Sequence, residues 1–318
     1  MNIGLLIENP ALLLQVLIIG LSNGAILALI ALGYTMVYGI IELINFAHGD
    51  VFMLGAMTAL TLIQVLALAP GLPASTLVPL LLLVLVGTMA TTATLNVLIE
   101  RLAYRPLRRA PRLAPLITAI GMSFILMNIG LHWKGPSYVT FPPLIPSIDL
   151  LNEVLGLRTV VSLRTTDLFV VALTVPLLLG LNWFVRHTRL GKAMRATAQN
   201  QEAAALMGID INQTIALTFL IAGALAGAGG FIQGLYYQSA RFDMGFRAGL
   251  MAFTSAVLGG IGNLTGAVLG GFLIGLIWAL SDFLFDPKWT LVVVFGILVL
   301  IIVFRPSGLL GAEVPERA

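Results

Sequence analysis

The segment Glu42-Leu-Ile-Asn45-Phe46-Ala47-His48-Gly49-Asp50 gathers two carboxylates, an imidazole and a carboxamide beside long apolar runs. Polar and ionisable groups so close to a membrane span are costly, and they face a cavity, a partner or the interface. Two readings are open. In one, Glu42, Asn45, Phe46, His48 and Asp50 belong to a translocation pathway, with a broken helix supplying free backbone groups. In the other, Asp50 N-caps the following helix and His48 rests at the headgroup boundary. For Asp50 the two are balanced, and for His48 the second is favoured. A comparable break occurs at Gly259, Gly260 and Asn263, and residues 33–56 and 252–275 share one form: apolar helix, Gly-containing polar break, apolar helix. Transporters are built from such internal repeats, with interrupted helices at the pathway. Gly259, Gly260 and Asn263 therefore join the candidate pathway.

A second candidate lies in Arg189–Asp210, a basic, helix-forming insert between two apolar runs. Asn200 is suited to N-cap a helix, Glu202 falls in the first turn where the dipole favours an anion, and Gly208 suits the C′ position. Residues Gln201–Met207 then make about two turns, roughly 10 Å long. Ala203, Leu206 and Met207 share a face, and Glu202-Ala203-Ala204 with Gly208 reads E-A-A-x3-G. Such a helix could lie on the membrane surface. Its length, caps and small residues together favour docking to a partner, through Asn200, Glu202, Ala203, Ala204, Leu206 and Gly208.

Other chemistries lack their residues. Gly191-Lys192 is followed by Ala193, so no phosphate-cradling G-x-x-x-x-G-K-[ST] loop is present. There is no cysteine, which removes thiolate and disulfide chemistry. No acidic or histidine cluster has metal-ligand spacing, and no nucleophile–base set stands out. No cofactor is implied. An ion-coupled carrier would need intramembrane carboxylates, for which only Glu42 and Asp50 qualify.

The elements that position these residues are membrane helices. Hydrophobic residues make up 59% of the 318 and charged ones 10%, against about a quarter charged in soluble domains. Apolar runs near 11–38, 50–68, 76–99, 113–132, 166–185, 213–236, 248–262, 264–285 and 289–304 are continuous, which excludes a β-barrel. The fold class is an all-α, polytopic membrane protein of about eight to ten spans, forming one transmembrane domain over 1–318. The N-terminal sequence lacks the basic region of a signal peptide, so its apolar stretch stays as a helix. Glu100–Arg112 carries five arginines against one glutamate, and Arg186–Asp210 is also basic. Cationic short loops mark the cytoplasmic side, which places 189–210 inside and the Pro-rich 133–166 outside. Asp282 and Asp286 read as interfacial. The pairs Gly223/Gly227, Gly230/Gly234, Gly266/Gly270 and Gly271/Gly275 fit small-xxx-small helix packing. With the charge so distributed, the basic pI of 9.4 gives no ground for a nucleic-acid partner.

Residues 38–56 (YGIIELINFAHGDVFMLGA), 101–108 (RLAYRPLR), Gly191–Asp210 and 256–271 (AVLGGIGNLTGAVLGG) resemble, in the same order, the permease subunits of bacterial branched-chain amino acid importers of the ATP-binding-cassette superfamily. The resemblance implies an inner-membrane assembly with a second permease (a paralogue or a copy of this chain), two cytoplasmic ATP-binding subunits and a periplasmic amino-acid-binding protein, set among membrane lipids. It also implies that Asn200–Gly208 is the coupling helix. Members of the family also carry urea, short amides and other amino acids.

Overall fold

A computed structural model describes residues 8–41, 45–108, 110–111, 113–157 and 159–311; Glu42 lies outside them. Apolar runs of this length close their backbone hydrogen bonds internally only as helices. In chain order they are α1 (Ala11–Ile41), α2 (Ala47–Val65), α3 (Ala74–Ile99), α4 (Leu113–Lys134), α5 (Thr165–His187), α6 (Arg189–Gln199), α7 (Gln201–Leu206), α8 (Ile211–Tyr237), α9 (Met244–Gly259), α10 (Leu264–Leu284) and α11 (Thr290–Phe304). A π-helical turn, Glu100–Tyr104, and a 3-10 turn, Arg105–Leu107, continue α3. Among the described residues eight helices are long and apolar enough to cross a membrane. The expected all-α, multi-pass architecture is the one observed. The number falls at the low end of eight to ten because α9 has only 16 residues.

Helices α1, α2 and α8 form the buried centre, whereas α4, α5 and α11 turn most of their surface outward. On α11 the outward residues include Val292, Val299, Leu300, Val303 and Phe304, a composition that suits contact with lipid. The centre is drawn tight by small residues. A Cβ at Gly223 of α8 would come 2.6 Å from the Thr92 carbonyl of α3, and one at Gly271 of α10 would come 2.6 Å from Ala28 Cα of α1. The paired glycines thus pack helices within this chain, as their spacing suggests.

Two ends of the helix bundle can be told apart by what ties them together. At one end Arg108 Nη1 donates to Asn212 Oδ1 at 2.7 Å and Gln201 Nε2 donates to the Ile40 carbonyl at 2.8 Å. There too the Leu309 and Leu310 amides donate to the Leu258 and Gly259 carbonyls. The two arginine-rich segments of the sequence therefore meet at this basic end. At the opposite end β1 (Val139–Thr140) pairs antiparallel with β2 (Ser239–Ala240). Phe141, fully buried, fills the space left by Gly234. This pins the long 134–165 segment against the end of α8.

Single residues join α5, α6 and α7. Thr188 ends α5 and N-caps α6, its hydroxyl accepting from the Gly191 amide at 3.0 Å. Asn200 ends α6 and N-caps α7, its Oδ1 accepting from the Ala203 amide at 2.9 Å.

Two outcomes follow from this packing. Gly223→Val and Gly271→Val are each expected to cost about 1–3 kcal/mol or more through overpacking, read as lower thermal stability of the purified protein in detergent. Gly121→Val, where nothing lies within 4 Å of the added atom, should leave it unchanged. In the 134–165 segment, bonds from the Asn152 side chain, and then from the Asn152 and Leu151 amides, hold the Asp149 carboxyl below its ordinary pKa. A depressed folded pKa stabilises above the unfolded value and ceases to do so as pH falls through it. Protection against amide exchange in 149–164, taken relative to the intrinsic rate at each pH, should therefore fall as pH falls from about 6 to about 3, and Asp149→Asn should flatten that dependence.

Candidate functional site

The polar break opens into the interior of the protein. Asn45 precedes α2 and accepts at Oδ1 from the Tyr104 hydroxyl at 2.6 Å. His48, in the first turn of α2, is fully buried, lodged in the notch left by Gly33 and edge-on to the Tyr34 ring at 4.9 Å. Its ring nitrogens make no hydrogen bond of ordinary geometry. Asp50, also fully buried, accepts at Oδ2 from Ser123 Oγ at 2.5 Å, and its Oδ1 has no partner among the described residues. Ser123 stands eleven residues before Lys134 at the end of α4, which puts the pair about 16 Å from that end. Asp50 thus lies near mid-depth and does not cap α2, whose N-cap Phe46 makes no side-chain bond. Backbone contact seats this turn: the Gly49 and Gly245 carbonyls each face the other glycine's Cα, and Gly249 closes on the same spot. Phe46 stacks obliquely toward Phe253 at 6.4 Å.

The second break lies at the basic end. Gly259 packs against Gly266, and Gly260 adopts φ +102°, a conformation natural only to glycine, against Gly308 and Gly311. Asn263 N-caps α10 through the Gly266 amide and donates to the Leu310 carbonyl at 2.7 Å. It also lines an open cavity of about 620 Å³ with Thr35, Gly39, Met194, Arg195 and Gly262. The two sets of pathway candidates are therefore differently placed. Asn45, His48 and Asp50 are enclosed in packed helices, whereas Asn263 borders open space.

Helix α7 has the anticipated ends. Asn200 caps it, and Gly208 at φ +83° closes it through bonds from the Gly208 and Ile209 amides to the Ala205 and Ala204 carbonyls. Ala204 is buried. Glu202 and Ala203 are exposed, and Leu206 and Met207 are 89% and 83% exposed. Leu206 and Met207 thus stand clear of the rest of the protein at the end of α7.

Three buried or half-buried polar assemblies carry no local pattern that singles them out. Asp167 accepts from Ser22 Oγ and Tyr236 Oη, each at 2.9 Å, joining α5, α1 and α8. Asp282 accepts from Trp278 Nε1 and from the Thr290 hydroxyl, tying α10 to α11. Glu100, 1% exposed, is ion-paired with Arg108. Burial lowers the Arg108 pKa, and the Glu100 charge opposes that shift. In the sequence Glu100 and Arg108 are only part of a basic segment, and Asp282 reads as interfacial.

Long apolar helices around enclosed polar groups define a multi-pass membrane protein. Residues 16–303 match the family described as branched-chain amino acid transport system / permease component. The chain belongs to that family. It is 43% identical to the high-affinity branched-chain amino acid transport system permease protein BraD of Pseudomonas aeruginosa, over 96% of this chain and 97% of BraD. It is 38% identical to the permease proteins LivH of Salmonella typhimurium and of Escherichia coli K12, over 96% of this chain and 97% of each. No solved structure matches.

Removing the Ser123 hydroxyl leaves Asp50 without a hydrogen-bond donor in the interior. Ser123→Ala is expected to cost about 1–3 kcal/mol, measured by thermal unfolding in detergent. Asp50→Asn keeps an acceptor for Ser123 and nearly the same shape, so it should cost less than Asp50→Leu.

Proposed function

We propose that this chain is one permease subunit of an ATP-binding-cassette importer that moves branched-chain amino acids inward. Its partners are a second permease, two cytoplasmic ATP-binding subunits and a periplasmic binding protein that delivers the substrate. The reading draws its substrate from the relatives, whose names specify branched-chain amino acid transport over nearly their whole length. The single structural observation that carries the mechanism is α7, held by capping at both ends at the basic end of the bundle, with Leu206 and Met207 turned outward. Basic short loops lie on the cytoplasmic side, where the ATP-binding subunits are. The sequence lacks a phosphate-cradling loop, and the hydrolysis that drives transport takes place on those partners.

On this reading Glu202, Ala203, Leu206 and Gly208 form the docking face, and α6 and α5 carry its movement to the membrane. Asn45, Phe46, His48 and Asp50, with Gly259, Gly260 and Asn263, sit at the two helix breaks whose rearrangement opens the pathway. Apolar walls with few charges suit a substrate whose side chain is aliphatic.

The test is uptake by the reconstituted importer in vesicles. Glu202→Lys and Gly208→Val should leave the chain inserted and ATP hydrolysis running while uptake falls by about tenfold or more. Uptake with ATP supplied should survive a protonophore. Normal transport by both variants would remove α7 from the mechanism, and collapse with the proton gradient would favour an ion-driven carrier.

A further inference from the structure

Under the first turn of α7 lies a small cavity of about 70 Å³, lined by Ile41, Glu100, Tyr104, Arg108, Gln201 and Phe219. Its walls come from α1, the π-helical turn, α7 and α8, together with Arg108 just beyond the 3-10 turn, so four elements converge on one spot. Three polar links cross it. Gln201 Nε2 donates at 2.8 Å to the Ile40 carbonyl, one of the end carbonyls of α1 that has no partner within the helix. Tyr104 Oη donates at 2.6 Å to Asn45 Oδ1, at the junction leading into α2. Arg108 holds Glu100 on one side and Asn212, at the start of α8, on the other.

The backbone that presents these groups is irregular. Residues Glu100–Tyr104 form a π-helical turn followed directly by a 3-10 turn, and such interruptions concentrate at hinges and functional sites. The turn places Glu100 and Tyr104, its first and last residues, on the buried side, while Arg101 and Leu102 are exposed. Two polar atoms here are buried and without partner among the described residues, Glu100 Oε2 and Asn45 Nδ2. Buried groups of this kind are normally satisfied.

We propose that Glu100, Tyr104 and Gln201 form a latch between α7 and the α1–α2 junction, closed in this conformation and released when α7 is displaced. This rests on the reading of α7 as the docking helix and extends it to positioning residues outside the docking face. Gln201 is the moving part. Its bond to Ile40 holds α7 against the end of α1, while Tyr104 passes the position of the π-helical turn to Asn45. Three residues beyond Asn45 lies His48, and five beyond lies Asp50. A displacement of α7 thereby reaches the mid-depth polar turn without passing along α5.

The experiment uses the complete importer in vesicles, with hydrolysis and uptake measured on the same preparation. Gln201→Ala, Tyr104→Phe and Glu100→Gln should retain bound ATP-binding subunits and hydrolysis while uptake per ATP falls by about tenfold. A purely structural role would lower assembled complex, hydrolysis and uptake together with their ratio unchanged, and that result overturns the latch. Because the chain has no cysteine, Ile41→Cys with Gln201→Cys can be joined by a short bis-methanethiosulfonate, which forms a reducible disulfide at each thiol with loss of sulfinate, even if Glu100→Gln fails to fold. Joining substitutes a permanent tie for the lost Gln201 bond, so uptake should fall below that of the same double variant with its thiols free, and reduction should return it to that level; equal uptake in the joined and reduced states overturns the proposal. Glu202→Lys separates the two readings. If it uncouples while the latch variants do not, only the latch fails, and if it transports normally, the docking reading fails and takes the latch with it.

Discussion

The absence of water across the bilayer governs this protein more than any single contact. A polar group placed among the helices must find its partner inside the protein. Ser123 meets Asp50 and Ser22 meets Asp167 in this way, each joining helices far apart in sequence. These bonds do little for net burial. They fix which helices are neighbours and at what height, because a shifted helix would leave a carboxylate unmatched. Glycine makes such matching possible by letting backbones approach to the distance the short side chains can span. The close passage of Gly49 against Gly245 and Gly249 brings the first turn of α2 to its seat.

The parts legible in the sequence are those that depend on neighbours a few residues away. Apolar length gave the spans, and the caps Asn200 and Gly208 gave α7 within a residue, because capping is decided within one turn. The basic segments predicted a shared end, and Arg108 and Gln201, one from each, line the same small cavity. Helix α9 shows the limit of counting by hydropathy, since its apolar run is continuous with the turn that follows and conceals how short the helix is.

What stayed hidden depends on partners distant in the chain. Asp50 and Ser123 are separated by 73 residues, and Asp167 and Ser22 by 145; no local pattern links either pair. Asp50 looked equally suited to capping α2, and the depth of that turn decides against it. His48 looked suited to the headgroup boundary, yet it is enclosed beside Gly33 and Tyr34. Glu100 lay within a segment whose arginines already had a sufficient explanation, so its enclosure was masked by composition. A π-helical turn has no residue signature, and its consequence, two inward side chains four positions apart, emerges only from coordinates.

The single-residue joints at Thr188 and Asn200 have a mechanical consequence. Each residue serves two helices at once: the Thr188 hydroxyl donates back to the Phe184 carbonyl of α5 and accepts from the Gly191 amide of α6, and Asn200 Oδ1 accepts from the Ala203 amide of α7. A joint of this kind has almost no slack: its backbone angles are set by the cap, and turning one rod means breaking the bond that starts the next. On the proposed reading, in which α7 is the docking helix, the α5–α6–α7 series would act as a bent crank, with a stroke applied at one arm arriving at the other as rotation. A floppy tether of equal length would dissipate the same stroke as local fluctuation. The stiffness of these two elbows sets how much work done on the surface arrives among the helices.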